Sequence, residues 1–273
     1  MTLSWTFTGI EFQVLCEKYR GGELPDPLFW TLEEHMSLDA GRALRADVWQ
    51  ELRAKWDPSW DSVIDVMCAP EICIRLHAWD ESDMADGKEP DGKSSTYIHF
   101  ARSGAQAYKF EQLPGKSYWH TDGFIITEID PRSLAAEVVR SMPNVEAGRL
   151  GSTPIIIDPA DHVGYGGSSF FRDDDEDPPA VASTKFFNLP ASRTGTLRVL
   201  QGRSKYGPRG IQETKMLWRD VIDDGRYLMN MDDAPVAVGI SRNGLAGKLQ
   251  DQIDNLMERL DTHWESGRPE DRW

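Results

Sequence analysis

Apolar and polar residues alternate along several short segments of the first half of the chain, which is the period of a half-buried β-strand. These predicted strands cover residues 3–8, 72–79, 96–100, 105–113, 118–120 and 124–129. Other segments repeat apolar residues every three to four positions, the period of an amphipathic helix. They lie at about residues 8–20, 38–56 and 59–68, and directly after Asp130-Pro131. Thr8 with Glu11 three residues on is a capping-box pattern, so we expect the first helix to begin there.

The second half of the chain repeats this order. A short helix at 181–189 precedes strands at about 195–202, 211–219, 226–230 and 235–240, and a long amphipathic helix follows from Leu245 to Trp264. The closing segments can be overlaid, with Phe124 against Pro235 and Leu134 against Leu245. Because hairpin loops rather than crossover helices join the strands, we predict an α+β fold. It has a central antiparallel β-sheet with a quasi-two-fold internal repeat, flanked by two helical bundles.

The two predicted halves, residues 1–142 and 181–265, belong in this interpretation to a single domain that spans residues 1–273. Residues 143–180 between them hold five glycines and then the acidic run 173–177, followed by two prolines. Like charges repel and proline interrupts both helix and sheet, so this stretch is interpreted as a linker. Its carboxylates lack the spacing of an EF-hand calcium loop.

Charge and composition narrow the classes of function. Lys plus Arg number 30 and Asp plus Glu 45, which gives 273 residues a formal net charge of −15. This argues against nucleic acid or an anionic membrane as the main partner. No apolar run approaches the roughly 18 residues of a membrane helix, and the N-terminus lacks the basic region of a signal peptide. Three cysteines without a CxxC motif indicate free, buried thiols. We therefore expect a cytosolic, cytoplasmic protein without membrane insertion.

One segment matches a phosphate-binding loop. Residues 87–94, Gly-Lys-Glu-Pro-Asp-Gly-Lys-Ser, satisfy the GxxxxGK[ST] pattern, and Ile155-Ile156-Ile157-Asp158 resembles the strand that ends in a Mg²⁺-site aspartate. Against this, Pro90 removes a backbone donor, Glu89 and Asp91 would face a polyanion, and a strand pattern follows Ser94. The favoured interpretation is a charged hairpin tip. A P-loop NTPase that uses Gly87–Ser94 remains the alternative function.

No other constellation indicates catalysis. His77, His99 and His120 lie on predicted strands and could in principle converge on Zn²⁺, which leaves a metal-dependent enzyme as a weaker alternative. No HExxH motif and no GxSxG nucleophile elbow occur. The residues 201–210 carry three basic side chains and are interpreted as an exposed hairpin tip. From the residues alone we predict a non-enzymatic binding protein with no cofactor, no metal and no small-molecule substrate.

Three blocks of the sequence resemble the EspG family of ESX (type VII) secretion-associated chaperones of actinobacteria. The first is the opening, from Trp5-Thr-Phe-Thr-Gly through 24–28, Leu-Pro-Asp-Pro-Leu. The second runs from Leu113-Pro-Gly to the helix after Asp130. The third joins 207–210, Gly-Pro-Arg-Gly, to Trp218-Arg-Asp and Gly225-Arg-Tyr. The resemblance covers nearly the whole chain apart from residues 158–180.

The resemblance implies a cytosolic chaperone that binds a PE–PPE type heterodimer at its apolar helical tip, prevents its aggregation and delivers it to its ESX system. The ESX machinery is then a further partner. The resemblance implies a contact surface that involves the sheet, the loop between its second and third strands, here residues 80–93, and the C-terminal bundle. The alternation of strand aromatics leaves open which face meets the client. The predicted partner-binding residues are Trp79, Asp80, Met84, Lys93, Tyr97, Trp119 and Trp218.

Overall fold

A computed structural model of the chain describes residues 2–32, 37–84, 94–117, 119–156, 178–231 and 234–262. Its ten strands are β1 Ser4–Phe7, β2 Ile72–Asp80, β3 Thr96–Ser103, β4 Gln106–Pro114, β5 Thr121–Ile129, β6 Thr153–Pro154, β7 Ala191–Gln201, β8 Glu213–Val221, β9 Gly225–Asn230 and β10 Val236–Gly239. Its helices are α1 Gly9–Tyr19, α2 Leu38–Ala54, α3 Ser59–Cys68, α4 Glu81–Met84, α5 Leu134–Arg140, α6 Pro179–Phe187 and α7 Arg242–Asp261. This is the predicted α+β class.

All ten strands form one sheet in the order β1-β5-β4-β3-β2-β7-β8-β9-β10-β6, and all their pairings are antiparallel. β2 and β7 pair at the centre over nine residues, with Leu76 opposite Leu197 in the middle. Reading outward from this pair, β2-β3-β4-β5-β1 on one side corresponds to β7-β8-β9-β10-β6 on the other. The strand order confirms the predicted quasi-two-fold repeat.

The register also reproduces the overlay of the closing segments. Ile126 of β5 lies opposite Phe110, and Ala237 of β10 lies opposite Met229. This places Ile126 and Ala237 at equivalent positions, as the alignment of Phe124 with Pro235 requires. The helices after these strands, α5 and α7, are equivalent in the same way.

The two faces of the sheet are covered differently. α5 and α7 pack against each other on one face, over the side chains of β2, β3, β7 and β8 that point to that side. α7 contributes its apolar stripe Leu245, Leu249, Ile253, Leu256 and Leu260, all buried. On the opposite face, α1, α2 and α3 cover the first half, and α6 covers the second. We call these the α5/α7 face and the α1/α6 face.

Local sequence signals set the helix ends. The Thr8 backbone N–H donates to Glu11 Oε2 at 2.8 Å and the Glu11 N–H donates to Thr8 Oγ1 at 3.3 Å, so the capping box forms as predicted. Ser241 caps α7 by accepting from the Gly244 N–H at 3.1 Å. Both caps satisfy backbone donors that a helix start would otherwise leave free.

Three expectations need correction. Trp119 and His120 lie in a turn rather than a strand, while Tyr118 lies outside the described residues. The segment read as a linker contributes β6 to the sheet, where Thr153 pairs with Ala237. A 3-10 turn, Pro131–Ser133, precedes α5 instead of a continuous helix. Trp264 and the acidic run 173–177 lie outside the described residues.

Candidate functional site

Several connections meet at one end of the sheet, which we call the upper end. β2 finishes there and β7 begins there, because Asp80 lies opposite Arg193. The β4–β5 and β8–β9 hairpins turn at the same end, and the last turn of α6 leads into β7 there. The β7–β8 connection lies at the opposite, lower end, since Gln201 pairs with Ile72 at the start of β2.

Exposed apolar side chains gather around this upper end. Trp119 in the β4–β5 connection is 52% exposed, and the Thr31 hydroxyl donates a hydrogen bond to its carbonyl. Phe187 at the end of α6 is 39% exposed, and Ile222 after β8 is 47% exposed. Trp119 is among the residues predicted from the sequence, whereas Phe187 and Ile222 are not. The signal for Phe187 was available, because it ends an amphipathic helix shortly before Pro190.

Trp79 and Tyr97 both lie on the α1/α6 face but differ in exposure. Trp79 is half-buried, with its ring centroid 5.2 Å from that of His77. Tyr97 is only 7% exposed, because its ring stacks on His77 at 4.5 Å and meets Phe29 edge-on at 5.0 Å. Tyr97 is therefore a buried support beneath this surface, and Trp79 is the residue of the pair that a partner could reach.

The assignment of Trp218 to a partner surface is corrected by its burial. Trp218 is fully buried on the α5/α7 face, where it lies opposite Gly195 and Leu228. The Arg226 guanidinium lies over its ring, 4.8 Å from the centroid. Since successive strand residues point to opposite faces, the side chain that reaches the α1/α6 face is its neighbour, Arg219.

The remaining predicted site residues belong to the β2–β3 connection. Asp80 ends β2, and its carboxylate accepts hydrogen bonds from the Ser82 N–H at 3.0 Å and the Ser82 hydroxyl at 2.8 Å. Met84 is the last residue of the short helix α4. Lys93 and most of the candidate phosphate loop lie outside the described residues. After Ser94 the chain enters strand β3 at Thr96, so the helix that a phosphate loop needs does not follow.

The middle of the α1/α6 face carries charge between the two helical clusters. Asp26 reaches over it from the segment before α2, with the Arg75 Nη1 2.7 Å and the Arg198 Nη1 3.5 Å from Asp26 Oδ2. Arg198 also pairs with Glu213. Burial opposes ionisation of Glu213, but the hydrogen bond from Arg198 and the positive charges of Arg198, Lys215 and Arg75 together outweigh it and lower the pKa of that carboxyl. The charged side chains in the middle of this face therefore pair with one another.

The three candidate zinc histidines have separate partners. His99 Nδ1 lies 2.8 Å from the Asp26 carbonyl oxygen, His77 stacks on Tyr97, and His120 Nδ1 lies 2.6 Å from the Ser117 hydroxyl. In the part of the chain that the structure describes, no three His, Cys, Asp or Glu side chains come together as metal ligands.

The cysteines are free thiols, as the sequence predicts, but they are not all buried. Cys16 and Cys73 lie inside the fold, and burial raises the pKa of each thiol to about 12. Cys68 is exposed, which corrects the expectation for that residue. Among the described residues, no helix combines the length and apolar content needed to cross a bilayer.

The fold is an α+β architecture built on one antiparallel sheet with a two-fold internal repeat. The sequence profile of the EspG family matches residues 8–250, and the chain therefore belongs to the EspG family. No curated protein matches the sequence. Among solved structures, the fold is similar to the Mycobacterium tuberculosis type VII secretion system chaperone EspG5, determined in complex with a PE25-PPE41 dimer. The TM-score is 0.55 at 10% identity, over 92% of this chain and 96% of that one.

Proposed function

We propose that this chain is a type VII (ESX) secretion chaperone that binds a PE–PPE type heterodimer at the apolar helical tip of the client. It keeps that client soluble and directs it to its secretion system. The observation that supports this most is that the exposed side chains of Trp119, Phe187 and Ile222 lie at the same end of the sheet as the β2–β3 connection. Apolar side chains exposed together at one end suit an apolar partner, because both surfaces leave water on binding.

Membership of the EspG family and a fold similar to that of EspG5, itself in complex with a PE25-PPE41 dimer, support the same client class. The proposal makes the chain a binding protein rather than an enzyme, with the cytoplasm as its location and the ESX machinery as a second partner. The net charge of −15 then serves solubility, because like-charged chaperone molecules repel one another.

The proposed client surface consists of Trp79, Asp80, Met84 and Lys93 in and beside the β2–β3 connection, together with Trp119. Phe187 and Ile222 extend it on the second half of the sheet. Tyr97 supports it from beneath without being reachable itself.

A single truncation tests the surface. We expect Trp119→Ala to weaken the complex about thirty-fold, or about 2 kcal/mol, because tryptophans that become buried at an interface are among the residues that contribute most to binding. The matched control is Tyr206→Ala, since Tyr206 is 60% exposed but lies in the β7–β8 connection at the lower end. Dissociation constants are measured by calorimetry with the PE–PPE heterodimer that co-purifies with the tagged chain from its native host.

A salt series on the same complex separates apolar from ionic recognition. We expect little change in affinity between low and moderate salt, because screening acts on charges and not on buried carbon. Equal effects of Trp119→Ala and Tyr206→Ala would contradict the location of the surface. A steep loss of affinity with salt would contradict its apolar character.

A further inference from the structure

A buried arginine connects the elements that surround the β2–β3 connection. Arg219 of β8 is 2% exposed, and its Nε and Nη2 donate to the two carboxylate oxygens of Glu81 at 2.9 and 2.7 Å. Its Nη1 donates to the Phe186 carbonyl at 2.9 Å and its Nη2 to the Leu189 carbonyl at 3.0 Å. The Thr194 hydroxyl also donates to Glu81. Glu81 and Arg219 are 138 residues apart in sequence.

These contacts join three separate elements, namely β8, α4 and the end of α6. Glu81 is the first residue of α4, which has only four residues. A helix of one turn is not stable by itself, so its direction depends on what holds it. Phe186 and Leu189 belong to the end of α6 and the segment after it. The guanidinium also packs 5.6 and 5.5 Å from the ring centroids of Phe186 and Phe187.

The opposite end of the same segment is held from the second half of the sheet as well. Arg193 of β7, opposite Asp80, donates from Nη2 to the Ser94 carbonyl at 3.1 Å. Ser94 lies just before β3. The described residues on both sides of the connection are thus bonded to arginines of β7 and β8, so the second half of the sheet determines where the connection starts and where it returns.

The internal repeat shows that this arginine cluster is not part of the shared framework. Leu76 pairs with Ile98 and Leu197 with Met216, which makes Ile98 and Met216 equivalent. By the same equivalence, the first half has Ala101 where the second half has Arg219. The second half has Gly202 where the first half has Glu81. A sheet of this kind therefore forms with an alanine at this site. Burying an ion pair is also no better for stability than apolar packing in general.

We propose that Arg219 is a positioning residue for client binding. Through Glu81 it fixes the direction in which the β2–β3 connection leaves the sheet, and through the carbonyls of Phe186 and Leu189 it fixes Phe187 beside it. Trp79, α4 and Phe187 then form one preassembled part of the client surface. This inference rests on the proposed function, since it assigns the residue that organises the same surface. Preassembly raises affinity because binding need not order these segments.

The test removes the charge of the exposed partner and leaves the arginine in place. Glu81→Gln keeps the size of the side chain, and because Glu81 is 28% exposed the fold should tolerate the change. We expect the dissociation constant for the co-purified PE–PPE heterodimer to rise about ten-fold, the scale of a lost charge-assisted hydrogen bond. Hydrogen exchange should increase at the amides of 81–84 and 184–189 and remain unchanged in β3 and β4.

The matched control is the other buried arginine–carboxylate pair of the same region. Arg226 and Asp220 are 1% and 2% exposed and bonded at 2.7 Å, but they lie on the α5/α7 face, where Arg226 also bonds the Pro143 carbonyl and packs on Trp218. Asp220→Asn should lower the midpoint of unfolding. It should leave the dissociation constant within about two-fold of the wild-type value, a difference close to the error of the binding measurement.

Several outcomes would overturn the inference. An unchanged dissociation constant for Glu81→Gln would show that the pair does not organise the surface. If Asp220→Asn weakens binding as much as Glu81→Gln, the effect is one of general stability. Exchange that stays the same at 81–84 and 184–189 would also reject the assignment. The exchange measurement uses the chain alone. A wild-type chain that binds no PE–PPE heterodimer would therefore refute the proposed function, while the exchange result separately decides whether Arg219 fixes these segments.

Discussion

The two halves of the sheet share a strand framework but are filled by different chemistry. On the α1/α6 face, the first half is packed with aromatic rings under three helices. Phe12 lies 4.7 Å from Phe124 and Phe7 lies 5.0 Å from Trp60, measured between ring centroids. Among the described residues of the second half, α6 is the helix on this face. It packs over a smaller apolar cluster, and the buried Arg219 bonds to Glu81 and to the carbonyls of Phe186 and Leu189. The same strand order is thus compatible with either kind of interior.

A pair of equivalent tyrosines shows the difference directly. Tyr108 of β4 and Tyr227 of β9 occupy corresponding positions, because Glu111 lies opposite Ile98 as Asn230 lies opposite Met216. Tyr108 packs 6.1 Å from Trp5 in an aromatic cluster. Tyr227 packs 5.3 Å from Phe186, and its hydroxyl accepts a hydrogen bond from the Leu150 N–H at 2.7 Å and donates one to the Asp224 carboxylate. Burial, followed by the bond to Asp224, raises the pKa of Tyr227 to about 12.

The comparison teaches that the framework and the interior are specified separately. Register depends on which positions are apolar and on turn geometry rather than on which apolar side chain fills each position, so the two halves form equivalent strands with different side chains. The side chains of each interior then depend on which helices and loops pack against that half of the sheet. The first half attaches three helices through apolar contact, whereas the second half attaches loops and a helix end, whose backbone carbonyls require donors.

The largest expected effect comes from the aromatic cluster of the first half. Phe12 is 1% exposed and contacts Phe7, Phe110 and Phe124, so Phe12→Ala should lower the free energy of unfolding by about 4 kcal/mol through lost contact and a residual cavity. The control is Phe187→Ala, whose ring is 39% exposed and should cost under about 1 kcal/mol. Urea unfolding followed by circular dichroism measures both. Similar losses of unfolding free energy for the two variants would show that the buried aromatic cluster stabilises the fold no more than an exposed ring does.

The next effect concerns the buried ion pair of the second half. Asp220→Leu leaves Arg226 charged, buried and without its carboxylate, and should cost about 3 kcal/mol. Adding Arg226→Met should recover most of that loss, because an apolar pair of similar volume fits the same space. The equivalent of Arg226 in the first half is Ala107, which can form no ion pair. If the double variant is no more stable than Asp220→Leu, the second half requires the Arg226–Asp220 ion pair, and an apolar pair does not replace it.

The sequence predicts the framework well, because alternation and periodicity are local properties. α3 begins and ends at the predicted residues, and the overlay of Phe124 with Pro235 matches the strand register. β6 escapes prediction because two residues are too few to show a period. That Thr153 pairs with β10 depends on the tertiary fold alone.

The site is less predictable than the fold, for a physical reason. Alternation states that Trp218 and Arg219 point to opposite faces, but not which face the helices leave open. Trp218 is consequently misassigned and Arg219 missed, since a charged strand residue with no visible partner suggests exposure. Its partner Glu81 is distant in sequence, and only the β2–β7–β8 register brings the two together. Trp119 is exposed for a different reason from the predicted one, because alternation places it on a strand whereas it lies in the β4–β5 turn, where side chains are exposed.

The smallest effect is a pH dependence that belongs to the first half. His99 is buried on β3 with Nδ1 against the Asp26 carbonyl, and its equivalent in the second half is Leu217, which does not titrate. Burial first, and then the nearby Arg75 and Arg20, lower the pKa of His99 to about 3, although the bond to Asp26 acts in the opposite sense. The unfolded chain binds this proton at about pH 6.5. Between these values only the unfolded state is protonated, so stability falls as the pH falls.

The expected loss is about 2 kcal/mol between pH 7.5 and pH 5, since one group contributes up to about 1.4 kcal/mol per pH unit in this window. The measurement is the free energy of unfolding across that range for the wild type and for His99→Gln, whose amide can still donate to the Asp26 carbonyl. The variant should show a slope shallower by this amount, while any contribution from His77, whose pKa burial also lowers, remains in both proteins. Hydrogen exchange at pH 5 should rise in β3 and β4 before it rises in β8 and β9. Parallel slopes of unfolding free energy against pH for the wild type and His99→Gln would show that His99 does not cause the loss of stability in acid. Equal exchange in both halves would show that acid does not destabilise the first half first.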